Sequence, residues 1–146
     1  MIITALILLL TITACDNTAN VDNGLGITII DAYGNEIVLE QTAKRIISTY
    51  SAITENIYAL GAGELLIGGG TSEAYPDDAV ELPKFSYSKD DVEKFIEANP
   101  DVVFFRVATA TKYSDLVENL EKVGIIVIAL DNEGFDNYIT TIAKVV

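Results

Sequence analysis

The sequence predicts an α/β fold: a mostly parallel, Rossmann-like sheet flanked by helices and preceded by a β-hairpin. Three observations lead there. Two continuous apolar runs, Val102 to Phe105 and Ile125 to Leu130, suit strands covered on both faces. Between the strand-like runs lie segments whose apolar residues recur at helical spacing. Strands that alternate with helices in this way pack as a parallel sheet with right-handed crossovers. With 146 residues, half of them apolar, the chain can bury one core of ordinary domain size but not two large ones.

The folded part is expected to begin near Ile27. Ile27 to Ile30 and Ile37 to Leu39 flank "DAYGNE", where Gly34-Asn35 tolerates the positive φ of a tight turn, so the pair forms a hairpin. Ile46 to Tyr50 is the next strand, and Ile53, Ile57 and Leu60 then fall at i, i+4 and i+7 on one helical face. Leu65 to Gly69 returns as a strand. Val92, Phe95 and Ile96 mark a short helix that Asn99-Pro100 stops, because proline continues a helix poorly. "DVVFFR" supplies a buried strand. Leu116, Leu120 and Val123 stripe the following helix, Gly124 ends it, and "IIVIAL" is another buried strand. Ile139, Ile142 and Val146 begin a last helix. No internal repeat or low-complexity segment interrupts the order.

Composition removes several function classes. Nine Lys plus Arg stand against 22 Asp plus Glu, and a formal charge of -13 repels phosphate backbones, so nucleic acid is not an expected partner. The chain has one cysteine and no histidine. An intramolecular disulfide, a Cys/His zinc cluster and a Ser-His-Asp triad are therefore all impossible within it. "GAGELLIGGG" does not match a dinucleotide fingerprint, because Gly61 and Gly63 follow a helix and precede a strand; they suit a helix cap and turn. No Gly-Lys-Ser/Thr follows, which excludes a P-loop. Asp77-Asp78 and Asp90-Asp91 have the chemistry to bind metal or transfer protons, but adjacent acids in a loop are more simply solvated. An enzyme is the weaker reading.

At the N-terminus, Ile2 to Ile12 is too short for a spanning helix, which needs roughly 20 residues, and better suits a signal-peptide core. Ile12-Thr13-Ala14-Cys15 resembles the lipobox of bacterial lipoproteins, in which the cysteine thiol receives diacylglycerol and becomes the mature N-terminus. Residues 1–14 are then a leader, and residues 15–26, rich in Asn, Asp, Thr and Gly, a lipidated tether. The alternative is a buried structural cysteine. Signal peptides start with basic residues, and none occurs before Lys44, so the expectation is a true start upstream.

The segments "ITIIDAYGNEIVL", "KRIISTYSAITENIYALGAGELLIGGG", "YPDDAVELPKFSYSKDDVEKFIEANPDVVFF" and "YSDLVENLEKVGIIVIALD" resemble the N-terminal lobe of class III periplasmic substrate-binding proteins. The resemblance runs from about Ile27 to Val146. It implies an extracytoplasmic, lipid-anchored protein that captures a ferric siderophore, haem or cobalamin for the permease and ATPase of an ABC importer, without catalysis and without a cofactor of its own. Family members have two lobes with ligand between them. The resemblance covers only the first of these lobes, and a lobe taken alone is expected to leave apolar surface exposed.

In open α/β sheets the binding crevice lies at the carboxyl ends of the strands. That rule selects Thr49 to Ala52, Gly70 to Tyr75, Tyr87 with Ser88, and Arg106 to Thr109. Within these, Tyr50, Ser51, Thr71, Tyr75, Tyr87 and Arg106 are the candidate ligand-binding residues. Tyrosines suit a large flat chelate, and a phenolate from Tyr50, Tyr75 or Tyr87 could ligate haem iron. Arg106 is suited to a ligand carboxylate or phosphate, or else to a structural ion pair. Ser51 is the expected helix N-cap. The family carries Pro-Ser where this chain has Ser51-Ala52, so the resemblance does not fix that loop.

By the same resemblance Glu93 matches an acid that docks on permease arginines; an acid there also favours the helix dipole. Glu55 matches a family position but is expected to be structural. Absence of histidine argues against zinc and manganese cargo. The alternative function is a membrane-tethered α/β interaction or enzyme domain that binds no chelate.

Overall fold

A computed structural model describes residues 26–87, 92–131 and 135–146. Cys15, the expected leader and nearly all of the tether lie outside the described residues, as do Ser88 and Asp90-Asp91. Strand β1 (Ile27–Ile30) pairs antiparallel with β2 (Glu36–Leu39), Ile27 opposite Leu39 and Ile30 opposite Glu36. Asp31 organises the turn. Its Oδ1 accepts the amides of Tyr33 at 2.9 Å and Asn35 at 2.8 Å, and its Oδ2 accepts the Asn35 side-chain amide at 3.0 Å. Of the expected Gly34-Asn35 pair, Gly34 alone adopts positive φ.

The main sheet has four strands, β3 (Ile46–Ser48), β4 (Leu66–Gly69), β5 (Val102–Arg106) and β6 (Ile126–Leu130), all parallel, in the order β4-β3-β5-β6. Six helices surround it among the described residues: α1 (Ser51–Ala59), α2 (Asp77–Val80), α3 (Val92–Ala98), α4 (Val107–Lys112), α5 (Ser114–Lys122) and α6 (Phe135–Val145). A 3-10 turn, Gly63–Leu65, leads into β4. Gly61, just past α1, takes φ +77° and fits the turn expected of it.

Side chains alternate across the strands. On one face Ile46, Val102, Phe104, Ile128 and Leu130 pack against Ile53 and Ile57 of α1, Tyr138 and Ile142 of α6, and Ile29 and Leu39 of the hairpin. On the other, Ile47, Val103, Phe105, Val127 and Ala129 meet Phe85, Phe95 of α3 and Leu120 of α5. Both faces are covered, which is why the two central strands lack polar alternation. Three expected core residues are exposed instead: Leu60 by 42%, Ile96 by 39% and Val123 by 53%. Leu60 and Val123 lie beyond the last residues of α1 and α5, where the chain turns away. On α3 it is Phe95 that enters the core, its ring centred 4.9 Å from Phe85 and 6.5 Å from Phe105.

The sheet is aligned by a reciprocal clip below β3 and β5. Asp101 Oδ2 accepts the backbone amides of Lys44 and Arg45 at 2.8 and 2.9 Å. In return the Arg45 guanidinium donates to the carbonyls of Asn99 and Ala98, at 2.8 and 2.7 Å, at the end of α3. The edges are also occupied. Ala32 of the hairpin donates to Ala129 of β6 at 2.9 Å, while Gly69 of β4 donates to Pro83 at 3.0 Å and accepts from Phe85 at 2.8 Å.

Tyr138 is 4% exposed, and among the described residues its hydroxyl has no hydrogen bond of good geometry. Burial pushes its pKa up to about 12, with Tyr50 and Glu55 adding to the rise and Asn56 offsetting part of it. The neutral phenol is thus favoured by folding.

Two predictions follow from this packing. Tyrosine ionises near 10.0 when unfolded and near 12 here, so the stability that Tyr138 contributes is whole below pH 10 and is lost as pH rises towards 12. Urea unfolding across that range should show a loss on the order of 2–3 kcal/mol that Tyr138→Phe lacks. Asp101→Ala should lower stability by about 2 kcal/mol, because two amides lose a charged acceptor together.

Candidate functional site

The connections diverge at the centre of the sheet. From β3 the chain passes to α1 on one face, and from β5 it passes through α4 to α5 on the other. This is a topological switch point, where open α/β sheets form a crevice. A cavity of about 250 Å³ lies there. Thr49, Tyr50 and Ser51 line it from the end of β3, Thr71 and Ser72 from the end of β4, Arg106 and Thr109 from β5 and α4, and Tyr87 from the segment before α3. The structure thus gathers Tyr50, Ser51, Thr71, Tyr87 and Arg106. Tyr75 is not among the lining residues; it is 68% exposed, just before the chain turns into α2.

Backbone and hydroxyl groups set the crevice wall. Thr49 donates both its amide, at 3.0 Å, and its hydroxyl, at 2.9 Å, to the Phe104 carbonyl, which ties the end of β3 to β5. Ser51 is the first residue of α1 and makes no N-cap; its hydroxyl donates to the Ser72 carbonyl at 3.1 Å and braces the neighbouring loop. Gly70 is required by close approach, since a Cβ there would stand 2.9 Å from the Thr49 carbonyl oxygen.

The Arg106 guanidinium lies 5.6 Å from the centre of the Tyr50 ring, and no carboxylate pairs with it among the described residues. The alternative of a structural ion pair finds no partner among the described residues. Among the described residues Arg106 is the sole cation lining the cavity, in a chain of net charge -13. Tyr87 rests against Tyr113 with ring centres 5.0 Å apart, and Lys112 Nζ lies 5.1 Å from the Tyr113 centre. Tyr113 escaped sequence reading because α4, which delivers it, was not expected.

Glu73 also escaped it. Only 8% exposed, it accepts hydrogen bonds at Oε1 from the Gly70 amide at 2.8 Å and the Thr54 hydroxyl at 3.0 Å. Tyr58 nearby has its pKa raised, first by burial and then by the negative charges of Asp78 and Glu73. The available signal was the glycine run at 68–70, which leaves room for a side chain to fold back beneath its own loop.

Glu93 is exposed in the first turn of α3. Glu55 projects to solvent from α1 and is not one of its core-packed residues. Asp77 and Asp78 occupy the exposed first turn of α2. Among the described residues no group of three or more His, Cys, Asp or Glu could hold a metal ion, and no helix is long and apolar enough to cross a membrane. Larger grooves of about 570 and 490 Å³ lie away from the carboxyl strand ends, between the hairpin and β6 and beside Val146.

No protein-family model matches the chain. It is 29% identical over 106 residues to an uncharacterized ABC transporter substrate-binding lipoprotein of Bacillus subtilis, YvrC, a match covering 73% of this chain and 34% of the relative. The chain thus spans about a third of that relative's length. A possible iron-binding periplasmic protein from Staphylococcus epidermidis superposes with TM-score 0.60 and 27% identity, over 66% of this chain and 38% of its own. The periplasmic vitamin B12 binding protein BtuF of Vibrio cholerae gives TM-score 0.56 and 26% identity, over 65% and 37%. The heme binding protein HmuT shares the fold at TM-score 0.67 and 18% identity, over 89% and 43%. The chain has the fold of part of these binding proteins.

Gly70→Ala should force the 70–75 loop away from β3. The expected loss is about 1–3 kcal/mol in urea unfolding, with the largest amide shifts in NMR at residues 49–51 and 70–73.

Proposed function

We propose that residues 27–146 are the N-terminal lobe of an extracytoplasmic substrate-binding protein that captures a ferric siderophore, haem or cobalamin and delivers it to an ABC permease and its ATPase. The observation that carries this reading is the crevice at the switch point, where tyrosines, hydroxyls and one arginine without a carboxylate partner among the described residues converge in a fold shared with iron-, haem- and vitamin B12-binding proteins. Its volume of about 250 Å³ falls below the range of roughly 300–1,000 Å³ for small-molecule pockets. A half-site that a second lobe completes would have this size.

In this reading the ligand lies against Tyr50 and Tyr87, takes a hydrogen bond from Thr71, donates one to the Ser51 oxygen, and pairs an anionic group with Arg106. Tyr75, outside the lining but exposed, would reach only the rim. Glu93 faces the permease. Cys15 carries the lipid that holds the protein on the outer face of the cell membrane, with residues 1–14 removed as leader and 15–26 as tether. The site binds and releases; it performs no catalysis and needs no resident cofactor.

Titration of the chain with haemin, cyanocobalamin and ferric hydroxamate and catecholate siderophores, followed by absorbance and calorimetry, tests this. One class should saturate. Arg106→Ala should weaken an anionic ligand by about tenfold or more, since a charge-assisted hydrogen bond is lost, without lowering stability. A folded chain that saturates with none of these compounds would overturn the reading.

A further inference from the structure

We propose that Glu73 is the positioning residue of the crevice, a buried carboxylate that joins the loop after β4 to α1 and holds Thr71 and Ser72 opposite Tyr50. The proposal rests on the reading of this crevice as the ligand site.

The geometry of Glu73 is poorly explained by stability alone. Its Oε1 takes the Gly70 amide and the Thr54 hydroxyl, whereas Oε2 is buried and receives no hydrogen bond among the described residues. An acid buried with one oxygen unserved is costly, and an apolar side chain of similar size would avoid that cost. What the carboxylate supplies is a connection between two loops that no apolar side chain could make.

That connection extends to Tyr50. Thr54 Oγ1 lies 3.0 Å from Glu73 Oε1 and 2.9 Å from Ser48 Oγ, and the Ser48 hydroxyl donates to the Tyr50 carbonyl at 3.1 Å. A threonine hydroxyl has one proton. When Thr54 gives it to the carboxylate, Thr54 can only accept towards Ser48, and the one Ser48 proton is then shared between Thr54 and the Tyr50 carbonyl. Glu73 thereby anchors a cluster of two buried hydroxyls that reaches the carbonyl of Tyr50, the residue beside Arg106. Ser48 and Thr54 are fully buried, so water does not compete for these contacts.

The backbone around Glu73 is shaped to admit it. A Cβ on Gly69 would stand 2.9 Å from Glu73 Cγ, and one on Gly70 would stand 3.3 Å from Oε1. The Ser51 hydroxyl on the Ser72 carbonyl is the second strut between the same two loops.

The test compares Glu73→Ala and Glu73→Gln with a remote core variant, Val127→Ala, in the full chain. Glutamine keeps an oxygen acceptor for Gly70 and Thr54; alanine keeps none. Two readouts are taken below the unfolding transition: affinity for haemin, cyanocobalamin and the ferric siderophores, and NMR hydrogen exchange at the Gly70 amide. Glu73→Ala should weaken binding by about tenfold, as expected for losing a positioned hydrogen bond, and speed Gly70 exchange by a similar factor. Glu73→Gln should stay within about threefold of the parent on both, even if its melting temperature falls. Wild-type affinity and Gly70 protection in folded Glu73→Ala, or equal effects in Val127→Ala, would overturn the proposal. If the parent chain binds none of the compounds, the ligand-site reading fails, and Gly70 exchange alone decides whether Glu73 positions the loop.

Discussion

One carboxylate beneath the sheet, that of Asp101, fixes how β3 lies against β5. By accepting two successive amides at 44 and 45 while Arg45 reaches back to the end of α3, it sets Ile46 opposite Val102. A slip of one residue would send every side chain of β3 to the opposite face. Ile46 would then leave the layer that holds α1 and α6, and Ile47 the layer that holds α3 and α5. The same register carries upward to the Thr49 bonds on Phe104, and from there it places Tyr50 beside Arg106. A clip at the amino end of the strands thus governs the geometry of the crevice at their carboxyl end.

Much of the architecture was legible because burial on two faces leaves a plain mark. "DVVFF" and "IIVIAL" have no polar alternation, and the structure gives the reason: successive side chains enter different cores, both buried. The hairpin was legible through its turn, although Asp31 rather than Asn35 organises it. Two short helices, α2 and α4, were not legible. Four and six residues are too few for a helical period to emerge, and α2 begins in a run of acids that suits a loop equally well.

The crevice was partly legible for a topological reason. A switch point can be located once the strand order is guessed, and it brings Tyr50, Ser51, Thr71, Tyr87 and Arg106 within reach of one another. It cannot say how each loop turns, so Tyr75 was grouped with residues it does not join, and Ser51 was assigned to a cap when its hydroxyl spans to Ser72. Glu73 was hidden by its type. An acid in a polar loop suggests solvent, and only the packing of Gly69 and Gly70 around it shows that the chain closes over the side chain.

The occupied edges of the sheet bear on how such a lobe behaves as a separate body. An open parallel sheet ends in two rows of backbone donors and acceptors, and any strand-forming chain can add to them. Here the hairpin covers part of one row through Ala32, and the segment around Pro83 takes up the other at Gly69, with a proline that cannot pass the ladder on. Growth by edge-to-edge addition is therefore blocked at both of these points by local chain, whatever else packs against the lobe. At these two points the edge is closed by the connections themselves and not by a neighbouring domain.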